Sequence, residues 1–393
     1  MKKFTILSPL VLLATTALAQ DSTCILQPSC SRLGYTKSDT ECGDQNFLRC
    51  PFDDELVACI GGKSGTGGGA GGDDYNPYDP NDELGDVIAL VIDKTATGNI
   101  DFTYGGGNIM VDCGNGTIVG GSASSSGTVS CSYPELGKYT VKLSGSFTYY
   151  GGASGSPTTL LKLDKSGITK MSKVCGSSTN GVVPPLPSTL KDATNMFTGC
   201  TNINSPYPKL PDGLEIADYM FASTSNTSTS NASDGNMKFS GDVELPSSLK
   251  SAIAMFNCNN KLNAVTGSKD TQITNANAMF RKSSISSIDG LPNTLTKGAY
   301  MFYQCVSLTT LPNLPDSLTD GDSMFYQCRN MTGTLNALPS SLTCGIDMFA
   351  AASNVTGSPA KPVGFADNCR PNQPREGSCY GIFSYTGVEV DWY

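Results

Sequence analysis

Three carboxylates, Asp316, Asp320 and Asp322, lie close together in the sequence, and a pair of carboxyl groups is the least that a glycoside hydrolase needs. Gly321-Asp322-Ser323 beside them has the look of a hydrolase motif. The chain contains no histidine, however, which removes the Ser-His-Asp and Cys-His nucleophile systems in their usual form. Gly62-Lys63-Ser64 invites a phosphate-loop reading, but the first glycine of such a loop would fall where Val57 stands. Asp73, Asp74, Asp79 and Asp82 offer oxygens to calcium, yet their spacing is not that of an EF-hand loop and a solvated acidic linker accounts for them. Zinc is disfavoured too, because no Cys-x-x-Cys occurs. The expectation is a protein that is not an enzyme, with no catalytic, cofactor-binding or metal-binding residue. A carboxylate-based glycoside hydrolase stays as a remote alternative.

Asp322 and Ser323 are simply the two positions before a Met-Phe pair, and that pair organises the chain. It recurs seven times, at Met196-Phe197, Met220-Phe221, Met255-Phe256, Met279-Phe280, Met301-Phe302, Met324-Phe325 and Met348-Phe349. Successive Met residues are 24, 35, 24, 22, 23 and 24 positions apart. In six copies a Leu-Pro begins ten positions before the Met, at Leu186, Leu210, Leu245, Leu291, Leu314 and Leu338. The long step holds an insertion, Ser223 to Gly235, made mostly of Ser, Thr, Asn, Ala and Asp. A period near 24 predicts a solenoid whose units bury their apolar positions only against their neighbours. Leu-x-x-Leu-Pro, as at Leu308 to Pro312, predicts a very short strand, since proline removes a ladder donor. The Met and Phe are expected to point inward from a short turn across the core, each gaining on the order of 1.5–3 kcal/mol by burial.

The pattern L-P-x-x-L-x5-M-F-x-x-C, complete at Leu291 to Cys305 and at Leu314 to Cys328, resembles that of the BspA-like leucine-rich-repeat surface proteins. The resemblance covers about 165 residues. It implies secretion or surface display, and adhesion or ligand binding rather than catalysis. The fourth copy, ending at Met279, lacks Leu-Pro, and Cys follows in four units, as Cys200, Cys258, Cys305 and Cys328. Cys305 and Cys328 occupy one column of adjacent units, where a disulfide and two buried thiols are equally open readings.

Residues 1–19 read as a secretory signal peptide, with Lys2-Lys3, an apolar run from Phe4 to Ala14 and Ala17-Leu18-Ala19 at the cleavage point. That run is too short to span a bilayer, so the chain is expected to be exported and not membrane-spanning. Fifteen Cys and 43 Gly agree with an extracytoplasmic setting, and a net charge of −9 excludes nucleic acid as a partner. Residues 20–60 hold Cys24, Cys30, Cys42, Cys50 and Cys59, and so short a segment needs disulfides in place of a large core. Residues 61–86 are a Gly/Asp-rich linker.

Residues 87–180 are expected to form a β-sandwich and an N-terminal cap for the repeats. Val87 to Ile92, Asn99 to Phe102, Asn108 to Val111, Thr128 to Cys131, Tyr139 to Leu143 and Ser146 to Tyr150 are rich in β-branched and aromatic residues between Gly-rich turns. Asp112-Cys113-Gly114-Asn115-Gly116, followed by Gly137-Lys138-Tyr139-Thr140-Val141, resembles the W-G-D-G and G-x-Y-x-V signature of PKD-like domains, with Cys113 where that family has Trp. The resemblance suggests a Cys113–Cys131 bridge in the anchoring role. Leu160 to Lys170 is expected to be the cap.

Residues 181–366 are then the solenoid and 367–393 a C-terminal cap closed by Cys369 and Cys379. The fold class is mainly β: a leucine-rich-repeat-like solenoid of about seven 24-residue units, preceded by a small β-sandwich and a disulfide-rich N-terminal module. The expected function is a secreted or cell-surface, adhesin-like protein that holds a host or environmental protein or glycan. The alternative is a structural coat component without a specific ligand. An outward row of aromatics or of one charge sign would favour binding.

Overall fold

The computed structural model describes residues 48–49, 56–57, 85–155, 157–223, 237–343, 345–365 and 381–390. The expected signal peptide, the five cysteines of 20–60, the expected linker up to residue 84, Cys369 and Cys379 lie outside them. The chain divides into two units, Met1–Gly85 and Asp86–Tyr393. In the first, β1 (Leu48–Arg49) pairs antiparallel with β2 (Leu56–Val57).

The second unit begins with two packed sheets, because alternating apolar residues give each strand one face to bury. One sheet has the order β10-β3-β8-β5-β6 and the other β11-β9-β4-β7. The strands are β3 (Ile88–Lys94), β4 (Gly98–Gly105), β5 (Gly107–Asp112), β6 (Ile118–Ala123), β7 (Gly127–Tyr133), β8 (Gly137–Ser144), β9 (Tyr149–Ala153), β10 (Thr159–Lys162) and β11 (Lys170–Met171). Ile100, Phe102 and Tyr104 of β4 and Val129, Cys131 and Tyr133 of β7 share one core with Leu90, Ile92, Val111, Val141 and Leu143 of the facing sheet. Cys113, just past β5, is bonded to Cys131 of β7 with Cα atoms 5.7 Å apart, so this disulfide joins the two sheets. The Tyr133 hydroxyl donates to the Cys113 carbonyl at 3.0 Å. Two features differ from expectation. Strand β6 runs through Gly120-Gly121, where the Tyr104 ring leaves no room for a side chain on Gly121. The start of the expected cap is β10, which pairs antiparallel with β3 inside the sandwich.

The coil grows directly from the sandwich. Strand β11 pairs in parallel with β9, Lys170 opposite Tyr149, and from Lys170 single parallel bridges run through Asp192, Ile216, Ser251, Asn275, Lys297 and Asp320. A second side carries β12 (Gly241–Glu244), β13 (Leu262–Thr266) and β14 (Ser287–Ile288) in one parallel sheet, and β15 (Gly333–Leu335), β16 (Val355–Gly357) and β17 (Gly387–Val388) in another. Between them Leu308–Pro312 contributes only the Thr310 bridge to Thr332, so proline limits this side to short ladders. Among the described residues the coil makes about nine turns.

The Met-Phe pairs make the third side, and all fourteen side chains are buried. Around Met279-Phe280 the amides alternate in direction. Those of Ala276, Ala278, Phe280 and Lys282 donate to Lys297, Ala299, Met301 and Tyr303 of the next turn, while those of Met279, Arg281 and Ser283 close bonds within their own turn. The backbone achieves this by turning left-handed on either side of the pair, at Ala278 (φ 57) and Lys282 (φ 57), a region costly for non-glycine residues. The same two positions are left-handed in the next two turns, at Tyr300 and Gln304 and at Ser323 and Gln327. Three residues before each Met stands a small residue: Ala193, Ala217, Ala252, Ala276, Gly298, Gly321 or Gly345. A Cβ on Gly321 would meet Cε of Met348, the Met of the following turn, at 2.9 Å.

The coil runs past both ends of 181–366. At the front Cys175 and Cys200 are bonded, with Cα atoms 5.5 Å apart. At the back Ile382-Phe383 takes the place of a Met-Phe: the Phe349 amide donates to the Ile382 carbonyl, and Phe383 stacks on Phe349. Cys258 follows its Met by three positions rather than four, so it is not in the column of Cys200, Cys305 and Cys328.

Candidate binding surface

Most outward columns of the coil are occupied by its own hydrogen bonds. The hydroxyls of Thr296, Thr319 and Thr343 donate to the carbonyls of Thr274, Thr296 and Thr319, each one turn back, at 2.9, 3.0 and 3.0 Å. Opposite them Ser286 and Thr332 donate to Asn263 and Thr309 at 2.9 and 3.0 Å. In earlier turns the first column holds charges instead, with Glu215 between Lys191 (3.4 Å) and Lys250 (2.7 Å). Hydrogen bonds from these lysines hold the Glu215 carboxyl below its usual range.

The three acids that suggested hydrolysis are built into this scaffold. Asp320 accepts from the Asp322 amide at 3.2 Å, and Asp322 accepts from the Ile346 amide of the next turn at 2.8 Å. Burial pushes the Asp322 carboxyl up, partly offset by that amide. Asp218 and Asn277 stand in the same column, two before the Met, and make the same bond to Ile253 and Ala299 at 2.8 and 3.0 Å. The position asks for an acceptor and takes an amide as readily as an acid. Gly321-Asp322-Ser323 is therefore accounted for by turn geometry.

Two outward regions depart from this pattern. The first is a groove of about 580 Å³, with Tyr207, Leu210, Val243 and Leu245 among its lining and Asp212, Asp242, Glu244 and Asp270 on its walls. It opens where the long repeat interrupts the stacking. Pro206 and Pro208 lack amide donors, so their segment makes only the Pro206 to Ser240 bridge, and the next strand slips register between Gly241 and Val243. The space inside the coil at this level is filled by Tyr207 and Phe239, packed edge-on or tilted against the Phe file. The four carboxylates are exposed, with Lys209 as the cation among the lining residues.

The second region lies two positions past each Met, where Arg281, Tyr303 and Tyr326 follow one another. Tyr303 and Tyr326 stack at 4.8 Å and 10°, and the Arg281 guanidinium lies 5.3 Å from the Tyr303 ring. Tyr300, 45% exposed, adjoins them, and Gln304 donates to Gln327 alongside at 3.0 Å. Neither region was read from the sequence. The groove depends on a register slip, but the aromatic row was visible as Tyr-Gln-Cys repeated after two successive Met-Phe pairs.

Cys305 and Cys328 are thiols, fully buried, donating to the carbonyls of Phe280 and Phe302 at 2.8 and 3.0 Å. Among the described residues no group of acids, cysteines or histidines is arranged to hold a metal ion. No helix among them is long and apolar enough to cross a membrane.

A parallel coil of short leucine-bearing bridges around stacked Met-Phe turns is a leucine-rich-repeat solenoid. Residues 231–332 and 253–356 match the BspA type leucine rich repeat region, in six copies; this stretch of the chain carries BspA-like leucine-rich repeats. No curated protein and no solved structure matches the chain. Proteins with such repeats are commonly surface or secreted proteins of adhesin type, and the repeats are typically non-catalytic.

Proposed function

We propose that this is a secreted or cell-surface binding protein whose coil is a non-catalytic contact surface for an environmental protein or glycan. The observation that carries the reading is the groove, because it joins apolar side chains to four exposed carboxylates, against one lysine, on a coil most of whose outward columns are taken up by their own hydrogen bonds. Concave sites of this make-up are where ligands are held, with apolar area supplying affinity and a few polar groups supplying orientation. The test is capture of the full chain on glycan and matrix-protein arrays, compared with an Asp242→Lys, Glu244→Lys variant. Retention by the native chain and its loss in the variant support the reading; equal retention removes the groove from it. The coat alternative draws on the Thr and Ser columns, which offer flat sides for lateral packing. It predicts no retained partner on either array and self-association that survives the groove substitutions.

A further inference from the structure

Cys175 and Cys200 sit on successive turns and are joined. Cys305 and Cys328 hold the place of Cys200, four residues after the Met, on two later successive turns. The backbone is alike at all three. The residue before the Met is left-handed in each (Asn195 φ 57, Tyr300 φ 59, Ser323 φ 52), as is the residue two past the Phe (Gly199 φ 82, Gln304 φ 58, Gln327 φ 58). The rings of Phe302 and Phe325 are 5.3 Å apart, as are those of Phe197 and Phe221. The carbonyl of Phe302 accepts both the Cys305 amide and the Cys328 thiol, each at 3.0 Å. The Cys328 sulfur therefore lies against the backbone of Cys305. Cys258 is offset by one position and lies two turns from Cys305.

We propose that Cys305 and Cys328 are a second inter-turn disulfide site, closed by oxidation while the coil folds and kept as two thiols if the coil folds reduced. The two thiols release two protons and two electrons, which a small-molecule disulfide such as oxidised glutathione accepts, leaving as two thiols. The route is a mixed disulfide on one cysteine, attacked by the thiolate of the other. In the folded coil both sulfurs are fully buried, and burial pushes the Cys305 thiol up to about 12 and the Cys328 thiol well above its usual range. The attacking species is the thiolate, so exchange belongs to the time before the turns close.

The experiment refolds the unfolded, reduced full chain in a glutathione couple, and exposes the folded, reduced chain to the same couple. Free thiols are then alkylated in denaturant and non-reduced peptides are mapped by mass. The refolded sample is expected to contain linked Cys305 and Cys328 peptides beside the Cys175–Cys200 pair, and the folded sample to yield Cys305 and Cys328 alkylated. Alkylated Cys305 and Cys328 in a refolded sample whose Cys175–Cys200 bond has formed would overturn the site. Linkage in the folded sample would overturn the shielding. A Cys305→Ser, Cys328→Ser variant keeps a donor in each place, as Ser283 does one turn earlier. It is expected to match the reduced native chain in Tm and to melt below the oxidised one; equal melting with the oxidised chain would contradict a bond formed there.

Discussion

The ring of Phe383 lies 5.7 Å from that of Phe349 and within 21° of parallel. It ends a file of eight rings that starts at Phe197, with neighbouring centroids 5.2 to 5.7 Å apart. Each turn thus supplies one rung of a core that no turn owns, which is why a single unit has nothing to fold around.

Truncating the middle of that file leaves a cavity that both neighbours line. Phe280→Ala is expected to cost about 3–5 kcal/mol, within the range for buried Phe to Ala changes, and Phe383→Ala at the end to cost less. Chemical denaturation of the two variants checks this; equal costs would mean that position in the file is immaterial.

The small column in front of each Met sets a size limit. Gly321→Ala is expected to be nearly neutral, because the Met348 thioether end can shift and four other turns carry Ala here. Gly321→Val is expected to cost about 1–3 kcal/mol through overpacking. Thermal melts of both variants separate a steric limit from a backbone one, which would penalise Ala as well.

Two groups of acids pull the pH dependence in opposite directions. Burial raises Asp322, so its folded-state carboxyl favours the proton and its ionisation lowers stability as pH rises through the raised value. Asp322→Asn keeps the acceptor for Ile346 and is expected to raise Tm at neutral pH, with the gain vanishing as pH falls to 3.8. Asp192 is the reverse. Burial opposes its charge, but bonds from Thr194 and from Lys170 at 2.9 Å outweigh that and hold it below 3.8. Its contribution is complete above 3.8 and is lost as pH falls through the lowered value, so Asp192→Asn is expected to flatten the acid limb of a Tm against pH curve.

The bridge between the sandwich sheets closes a loop of 18 residues. Replacing Cys113 and Cys131 together by Ser is expected to cost the unfolding of this part about 2–4 kcal/mol. Protection of sandwich amides measured by hydrogen exchange should fall, while that of the turns near Met301 is retained.

The repeat was legible because burial fixes two large side chains per turn, and their fixed spacing survives at Met279, where Leu-Pro is missing. The last turn was hidden because Ile382 fills the same core volume as a Met without repeating the letter. Cys175 was hidden because the turn that carries it has no Met-Phe to mark it. Strand β6 escaped because Gly120 and Gly121 speak against a strand, whereas the packed Tyr104 ring is what demands glycine at 121. The groove was out of reach, since it depends on how far the proline segment at Pro206 and Pro208 departs from its neighbour, a tertiary outcome. The acids at Asp320 and Asp322 misled for the opposite reason: acceptors that close turns and acids that do chemistry look the same in one dimension.

The account rests on amides of the Phe residues donating from each turn to the next. Native-state hydrogen exchange, resolved at Phe221, Phe256, Phe280, Phe302 and Phe325, tests it directly. These amides are predicted to be among the slowest in the chain and to exchange together, at the rate of global unfolding. Exchange there as fast as at exposed loop amides, or at a different rate for each turn, would contradict a single continuous core.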